Sequence, residues 1–130
     1  MPRTFTVLLV EDDDPLRCSL VDVLSSQGWK VYAAAGGGEA VSLARRVPLD
    51  FSLLDLHLPG MSGLEVLQRI ATEVRPLPTI MMSGQATPEE THAALRQGVF
   101  DFLRKPLDLA QLRLSMDQLI RRHFRRPDQP

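Results

Sequence analysis

Cysteine is all but missing: Cys18 is the only one in 130 residues. No internal disulfide can form, and such sparse usage points to a reducing, intracellular setting. The three histidines, His57, His92 and His123, lie far apart in the chain, so no Cys/His cluster of zinc-site spacing exists. Long apolar runs are absent too. None approaches the ~20 residues of a membrane helix, and the one near the N-terminus is too short for a signal peptide before acids interrupt it. Neither sign of charge dominates. With 15 basic and 16 acidic residues the formal net charge is -1, which gives the domain itself no electrostatic reason to hold nucleic acid or an anionic membrane. The glycines "GGG" at 36–38 are not a phosphate cradle, because no G-x-G-x-x-G follows a strand and opens a helix there. These exclusions leave a cytoplasmic protein of one domain with one core.

What the sequence does have is alternation. "FTVLLV" (5–10), "KVYAA" (30–34), "DFSLL" (50–54), "TIMM" (79–82) and "VFDFLR" (99–104) are short apolar runs, as in strands buried on both faces. Helical spacing follows each one. Leu16, Leu20, Val23 and Leu24 repeat before Gly28; Ala40, Leu43 and Ala44 repeat within 39–46. Leu64, Leu67, Ile70 and Ala71 form a third set, and Leu109, Leu112, Met116, Leu119 and Ile120 the last. Thr87-Pro88-Glu89-Glu90 is a strong helix start: Thr87 caps, Pro88 takes the first position and Glu90 completes a capping box. Asp14 before Pro15 is expected to cap the first helix, and Asp108 the last. Five βα units in a row predict a single doubly wound parallel sheet, (βα)5, covered on both faces. The domain is expected over residues 1–122. Residues 123–130 then form a C-terminal tail or linker, whose arginines suit a solvated helix end.

In an open α/β sheet, ligands bind beyond the carboxyl ends of the strands. The first strand runs into Glu11, Asp12, Asp13 and Asp14. Such crowding needs a reason, since two carboxylates about 5 Å apart repel by roughly 3 kcal/mol at an effective dielectric near 20. The third strand ends at Asp55, the fourth at Ser83 and the fifth at Lys105, whereas the second ends in alanines. With sheet order 2-1-3-4-5 these groups converge. Three carboxylates make a hard oxygen site of the kind Mg²⁺ takes, and such a metal usually meets phosphate. Asp55 is then a candidate carboxylate nucleophile for an acyl phosphate, with Lys105 neutralising charge and Ser83 offering a hydroxyl.

Four stretches, "LLVEDDDPLR", "LLDLHLPGMSGLEVL", "TIMMSGQAT" and "GVFDFLRKPLD", occur in the order and at the separations of response regulator receiver domains. On them the chain resembles this CheY-like family of two-component signal transduction over about residues 4–122, and the resemblance supplies the flavodoxin-like strand order. It implies that Asp55 accepts a phosphoryl group from a sensor histidine kinase, a histidine phosphotransfer protein or a small phosphodonor. Glu11 and Asp12 then match the Mg²⁺-holding acid pair, with the His57 backbone carbonyl as a further ligand. Ser83 matches the hydroxyl that follows the phosphoryl group, Lys105 the phosphate-binding lysine before a cis proline, and Phe102 the aromatic switch residue. Such a domain is a switch rather than an enzyme, catalysing only its own phosphorylation and dephosphorylation. The face formed by helix 4, strand 5 and helix 5 would serve homodimerisation or output, for instance to a DNA-binding domain. Two departures stand out. Phe102 lacks a tyrosine hydroxyl, and bulky His57 stands, with Gln85, where the family tunes phosphoryl lifetime. Two other functions fit the topology. A flavodoxin-like FMN protein would need a hydroxyl- and glycine-rich loop where "EDDDP" stands, and a haloacid-dehalogenase-type phosphohydrolase would need an acid where His57 stands.

Overall fold

The computed structural model describes residues 3–124. Its elements alternate without exception: β1 (Thr6–Val10), α1 (Asp14–Ser25), β2 (Lys30–Ala34), α2 (Gly37–Arg46), β3 (Phe51–Asp55), α3 (Gly63–Glu73), β4 (Thr79–Ser83), α4 (Pro88–Arg96), β5 (Asp101–Arg104) and α5 (Leu109–Phe124). All strand pairs are parallel, in the order β2-β1-β3-β4-β5. The expected (βα)5 doubly wound architecture is therefore present.

Alternation along each strand sends neighbours to opposite faces, and two cores result. Leu8, Val10, Leu54 and Met81 pack with Ala40, Val41, Val66 and Ile70 beneath α2, α3 and α4. Val7, Leu9, Phe51, Leu53 and Ile80 pack with Leu20, Leu24, Leu112 and Met116 beneath α1 and α5. β3 and β4 are buried at every residue, which explains why they are mostly apolar. The hydroxyls near their starts are satisfied: Ser52 and Thr79 lie 2.6 Å apart, and Thr79 Oγ1 donates to the Leu77 carbonyl.

The structure corrects several local expectations. Asp13, not Asp14, caps α1: its extended backbone lets the carboxylate accept the Leu16 N–H at 2.9 Å. Asp14 is the first helical residue, Pro15 the second, and Asp14 pairs instead with Arg17. Leu109 is 52% exposed and Ala71 is exposed, so neither faces the core. Both sit at the margin of their helix's apolar stripe, where the buried surface of the sheet has already run out. α2 begins two residues earlier than expected because Gly37 lies against α3, where a Cβ would come within 2.8 Å of Val66 Cγ2. The capping box of Thr87 and Glu90 forms as expected, and Asp108 accepts the Ala110 and Gln111 N–H groups at the start of α5. α5 continues through His123 and Phe124, past the expected boundary at residue 122. Phe124 meets Phe5 edge-to-face, and the Arg3 guanidinium lies over both rings. The rest of the expected tail, 125–130, lies outside the described residues.

Candidate functional site

The carboxyl ends of β1, β3, β4 and β5 deliver polar groups to a common crevice, with Glu11 and Asp12 both following β1. Parallel strands fix this arrangement, since equal register along neighbours puts their last residues side by side: Asp55 faces Met82, and Ser83 faces Arg104. The backbone carries the chain into the site just past the ladder. The Glu11 N–H donates to Ala34, the Leu56 N–H to Met82 and the Lys105 N–H to Ser83. Lys105–Pro106 is cis, as expected.

Asp55, 4% exposed, is held from two sides. Its Oδ1 accepts the His57 N–H at 3.1 Å, and its Oδ2 accepts from Lys105 Nζ at 3.0 Å. Glu11 is 0% exposed; its Oε1 accepts from the same ammonium at 2.5 Å and its Oε2 accepts the Asp13 N–H at 3.1 Å. Asp12 is exposed at the rim. Glu11, Asp12 and Asp55 each offer a carboxylate oxygen, all within 4.8 Å of one another.

The electrostatics follow from this crowding. Burial pushes the Glu11 carboxyl above its ordinary range, with the Asp55 charge adding to it, against the bonds from Lys105 and the Asp13 N–H. Burial also works against the Lys105 charge, but the bonds to Glu11 and Asp55 outweigh it and hold the ammonium above its usual pKa. The lysine thus keeps its proton and bridges two acids. Hard oxygens without sulfur or ring nitrogen are the donor set of magnesium. Both Glu11 oxygens already accept a bond, whereas Asp12 is exposed to solvent.

Glycine builds the wall behind Asp55. Gly63 starts α3 with its N–H on the Leu56 carbonyl at 2.7 Å, and a Cβ there would lie 2.3 Å from the Asp55 carbonyl oxygen. The opposite wall is polar. Ser83, 2% exposed, accepts the Gln85 N–H at 3.1 Å and lies 3.1 Å from His57 Nδ1. The other imidazole nitrogen of His57 is 2.9 Å from Glu90 Oε2. The Thr87 backbone N–H first, and His57 next, hold the Glu90 carboxyl below its usual range. Phe102 is half-buried on β5 and packs against the core beneath α2, α3 and α4.

The structure therefore brings Glu11, Asp12, Asp55, Ser83, His57 and Lys105 into one crevice. Sequence reasoning did not find the contact of Glu90 with His57. A capping box already accounted for Glu90, and 33 residues separate the pair. It also assigned nothing to Arg17, which donates to the Glu11 carbonyl at 2.9 Å.

A doubly wound α/β domain with acids and a lysine gathered at the carboxyl edge of its sheet defines the class: its polar groups stand where ligands bind in open α/β folds. The particular family follows from comparison. The model of the response regulator receiver domain matches residues 7–117, and the chain belongs to that family, which serves two-component systems. The cell cycle response regulator CtrA of Brucella ovis is 34% identical over 116 residues, covering 89% of this chain and 50% of that protein. The regulatory protein AtoC of Escherichia coli is 32% identical over 114 residues, covering 88% of this chain and 25% of its own. The non-phosphorylated HemR receiver domain of Leptospira biflexa superposes with a TM-score of 0.83 at 29% identity, covering 90% of this chain and 94% of that one. The chain thus spans half or less of the length of these two curated relatives. Receiver domains bind Mg²⁺ at an acidic pocket, and the cluster of Glu11, Asp12 and Asp55 is one of this kind. No helix among the described residues is long and apolar enough to cross a membrane.

Proposed function

We propose that Asp55 is the phosphoacceptor of this receiver and that its phosphorylation operates a switch. The single observation that carries the reading is the bridging of buried Asp55 and Glu11 by Lys105 Nζ, at 3.0 and 2.5 Å. An Asp55 carboxylate oxygen attacks the phosphorus of a phosphohistidine, or of a small phosphodonor, and the bond from phosphorus to the donor breaks. Lys105, already charged and already touching Asp55, neutralises the oxygens as they develop charge. Glu11, Asp12, Asp55 and the His57 carbonyl would hold Mg²⁺, with Glu11 reached through water because both its oxygens are engaged. Mg²⁺, when bound, neutralises charge on the carboxylates and on the transferring phosphoryl group. Ser83 then donates to a phosphoryl oxygen, and Phe102 on β5 repacks by shape alone.

The product adds charge and acceptor oxygens at the head of the sheet. The face of α4, β5 and α5 shifts in population and meets a second copy or an output domain. Leu95 on α4 and Leu114 on α5 are 52% and 58% exposed, consistent with such a face. The partners are a sensor histidine kinase or histidine phosphotransfer protein upstream. Because CtrA and AtoC extend well beyond the matched region, an output domain, such as a DNA-binding one, belongs to the same reading. The test is incubation with Mg²⁺ and a small phosphodonor followed by intact mass. One phosphoryl adduct that disappears in Asp55→Asn supports the assignment; no adduct with Mg²⁺, or an adduct unchanged in Asp55→Asn, refutes it.

A further inference from the structure

We infer that Glu90, acting through the His57 imidazole, is a positioning residue that holds the Ser83 hydroxyl away from Asp55 until phosphorylation. This rests on the reading of Asp55 as phosphoacceptor and Ser83 as its following hydroxyl. Proton direction along the three side chains sets the state of Ser83. Glu90 Oε2 is a carboxylate oxygen and only accepts, so the His57 Nε2 that faces it at 2.9 Å carries a proton. In the neutral ring, Nδ1 is then an acceptor. Ser83 Oγ, 3.1 Å from Nδ1, already accepts the Gln85 N–H, and its own proton goes to the ring. A hydroxyl has one proton. Phosphoryl oxygens only accept, so Ser83 can bond one only by releasing His57.

The far end of this relay is fixed. Glu90 Oε1 accepts the Thr87 N–H at 2.9 Å, and Thr87 Oγ1 accepts the Glu90 N–H at 3.1 Å. The latch therefore runs from the hydroxyl at the end of β4, across the β3–α3 loop, to the first turn of α4. Release of Ser83 frees His57 from one of its two partners and removes the tie that holds the start of α4 to the pocket. The same pair of bonds thus opposes engagement of the phosphoryl group and reports it to the switch face.

The test uses beryllofluoride with Mg²⁺ as a stable phosphoryl mimic, titrated by calorimetry. Glu90→Ala and His57→Phe each remove the latch and should tighten binding about 2- to 10-fold, the equivalent of one net hydrogen bond. The double variant should be no tighter than either single variant, because both break one chain. Glu90→Gln has a single carbonyl oxygen for two donors, the Thr87 N–H and the His57 Nε2–H, so it cannot keep both bonds and should not bind more tightly than Glu90→Ala. Thr87→Ala weakens the α4 cap while sparing the latch, and should leave affinity unchanged. Unchanged single variants, additive effects, or an equal response from Thr87→Ala would each overturn the proposal. A wild-type protein that takes no beryllofluoride would overturn the phosphoacceptor reading itself, whereas wild-type binding without response to the variants overturns the latch alone. The free protein supplies an independent readout. ¹⁵N shifts of the His57 ring should report the Nε2–H tautomer, with loss of that preference in Glu90→Ala; a dominant Nδ1–H tautomer refutes the latch whatever Asp55 does.

Discussion

Replacing Lys105 by methionine tests the electrostatic core of the site in one step. The ammonium touches Glu11 and Asp55 at 2.5 and 3.0 Å, and only about a fifth of the lysine side chain is exposed (21%). Methionine keeps much of the stem and removes the charge. Two buried carboxylates then face each other with oxygens within 4.8 Å, a repulsion of about 3 kcal/mol at an effective dielectric near 20. Breaking a fully buried pair costs about 3–5 kcal/mol. Partial exposure lowers that figure, and so does proton uptake by Glu11, whose carboxyl burial already pushes up. A net loss of about 2 kcal/mol at neutral pH results, or about 1 M in urea midpoint for a domain of this size.

The pH dependence has a definite sign. In the variant, Glu11 loses the bond that pulled its pKa down, so its folded pKa rises further above the unfolded one. Between those two values the folded state binds more protons than the unfolded state, and stability falls as pH rises through that window. The deficit should therefore shrink toward about pH 5 and widen toward neutrality. Mg²⁺ should also shrink it, since a divalent cation replaces the missing positive charge. Urea unfolding of both proteins at the two pH values, with and without Mg²⁺, reads all of this. A variant as stable as wild type at neutral pH, or a deficit indifferent to both pH and Mg²⁺, would refute the reasoning.

Other outcomes follow from single contacts. Asp13→Ala removes the α1 cap and should cost about 1 kcal/mol by urea unfolding, while Asp14→Ala, at an exposed pair with Arg17, should cost less than half of that. Gly63→Ala forces a methyl group to 2.3 Å from the Asp55 carbonyl oxygen, so it should destabilise by about 2 kcal/mol or more and lower the yield of phosphoryl adduct, scored by mass. Arg3→Ala strips the guanidinium from the Phe5 and Phe124 rings and from Asp50, and should lower stability by about 1 kcal/mol and speed amide exchange in the last turn of α5. Phe102→Ala should weaken self-association or output binding while phosphorylation proceeds at a similar rate; equal loss of both would mark it as plain core.

The strand ends were legible because parallel strands buried on both faces must be apolar throughout, so the first polar residue after each run marks the crevice. Asp55 and Ser83 are such residues; Lys105 is not, because Asp101 and Arg104 precede it on half-exposed β5, and the strand order that brings the three together came from the resemblance to receiver domains. What stayed hidden depends on groups from distant parts of the chain. Gly37 looks like loop because glycine costs a helix about 1 kcal/mol. The reason for it is the side chains of Met61 and Val66, brought alongside by α3. Glu90 reads fully as a capping residue, yet a carboxylate has two oxygens, and only the fold shows where the second one goes.

The run of four acids after β1 is the sharpest case, because composition treats its members alike and the fold does not. Glu11 is buried and faces Lys105; Asp12 is exposed beside Asp55 in the carboxylate cluster; Asp13 caps α1; Asp14 pairs with Arg17. The one-residue error in the cap has a physical cause. Proline is accepted at either of the first two helical positions, and aspartate caps equally well at both candidate sites. The Glu11 Oε2 bond to the Asp13 N–H fixes the turn that places Asp13 at the cap. Buried Glu11 thus sets the start of the helix, and the mutual repulsion of the run is divided among a lysine, a helix N-terminus and an arginine rather than borne by one cation.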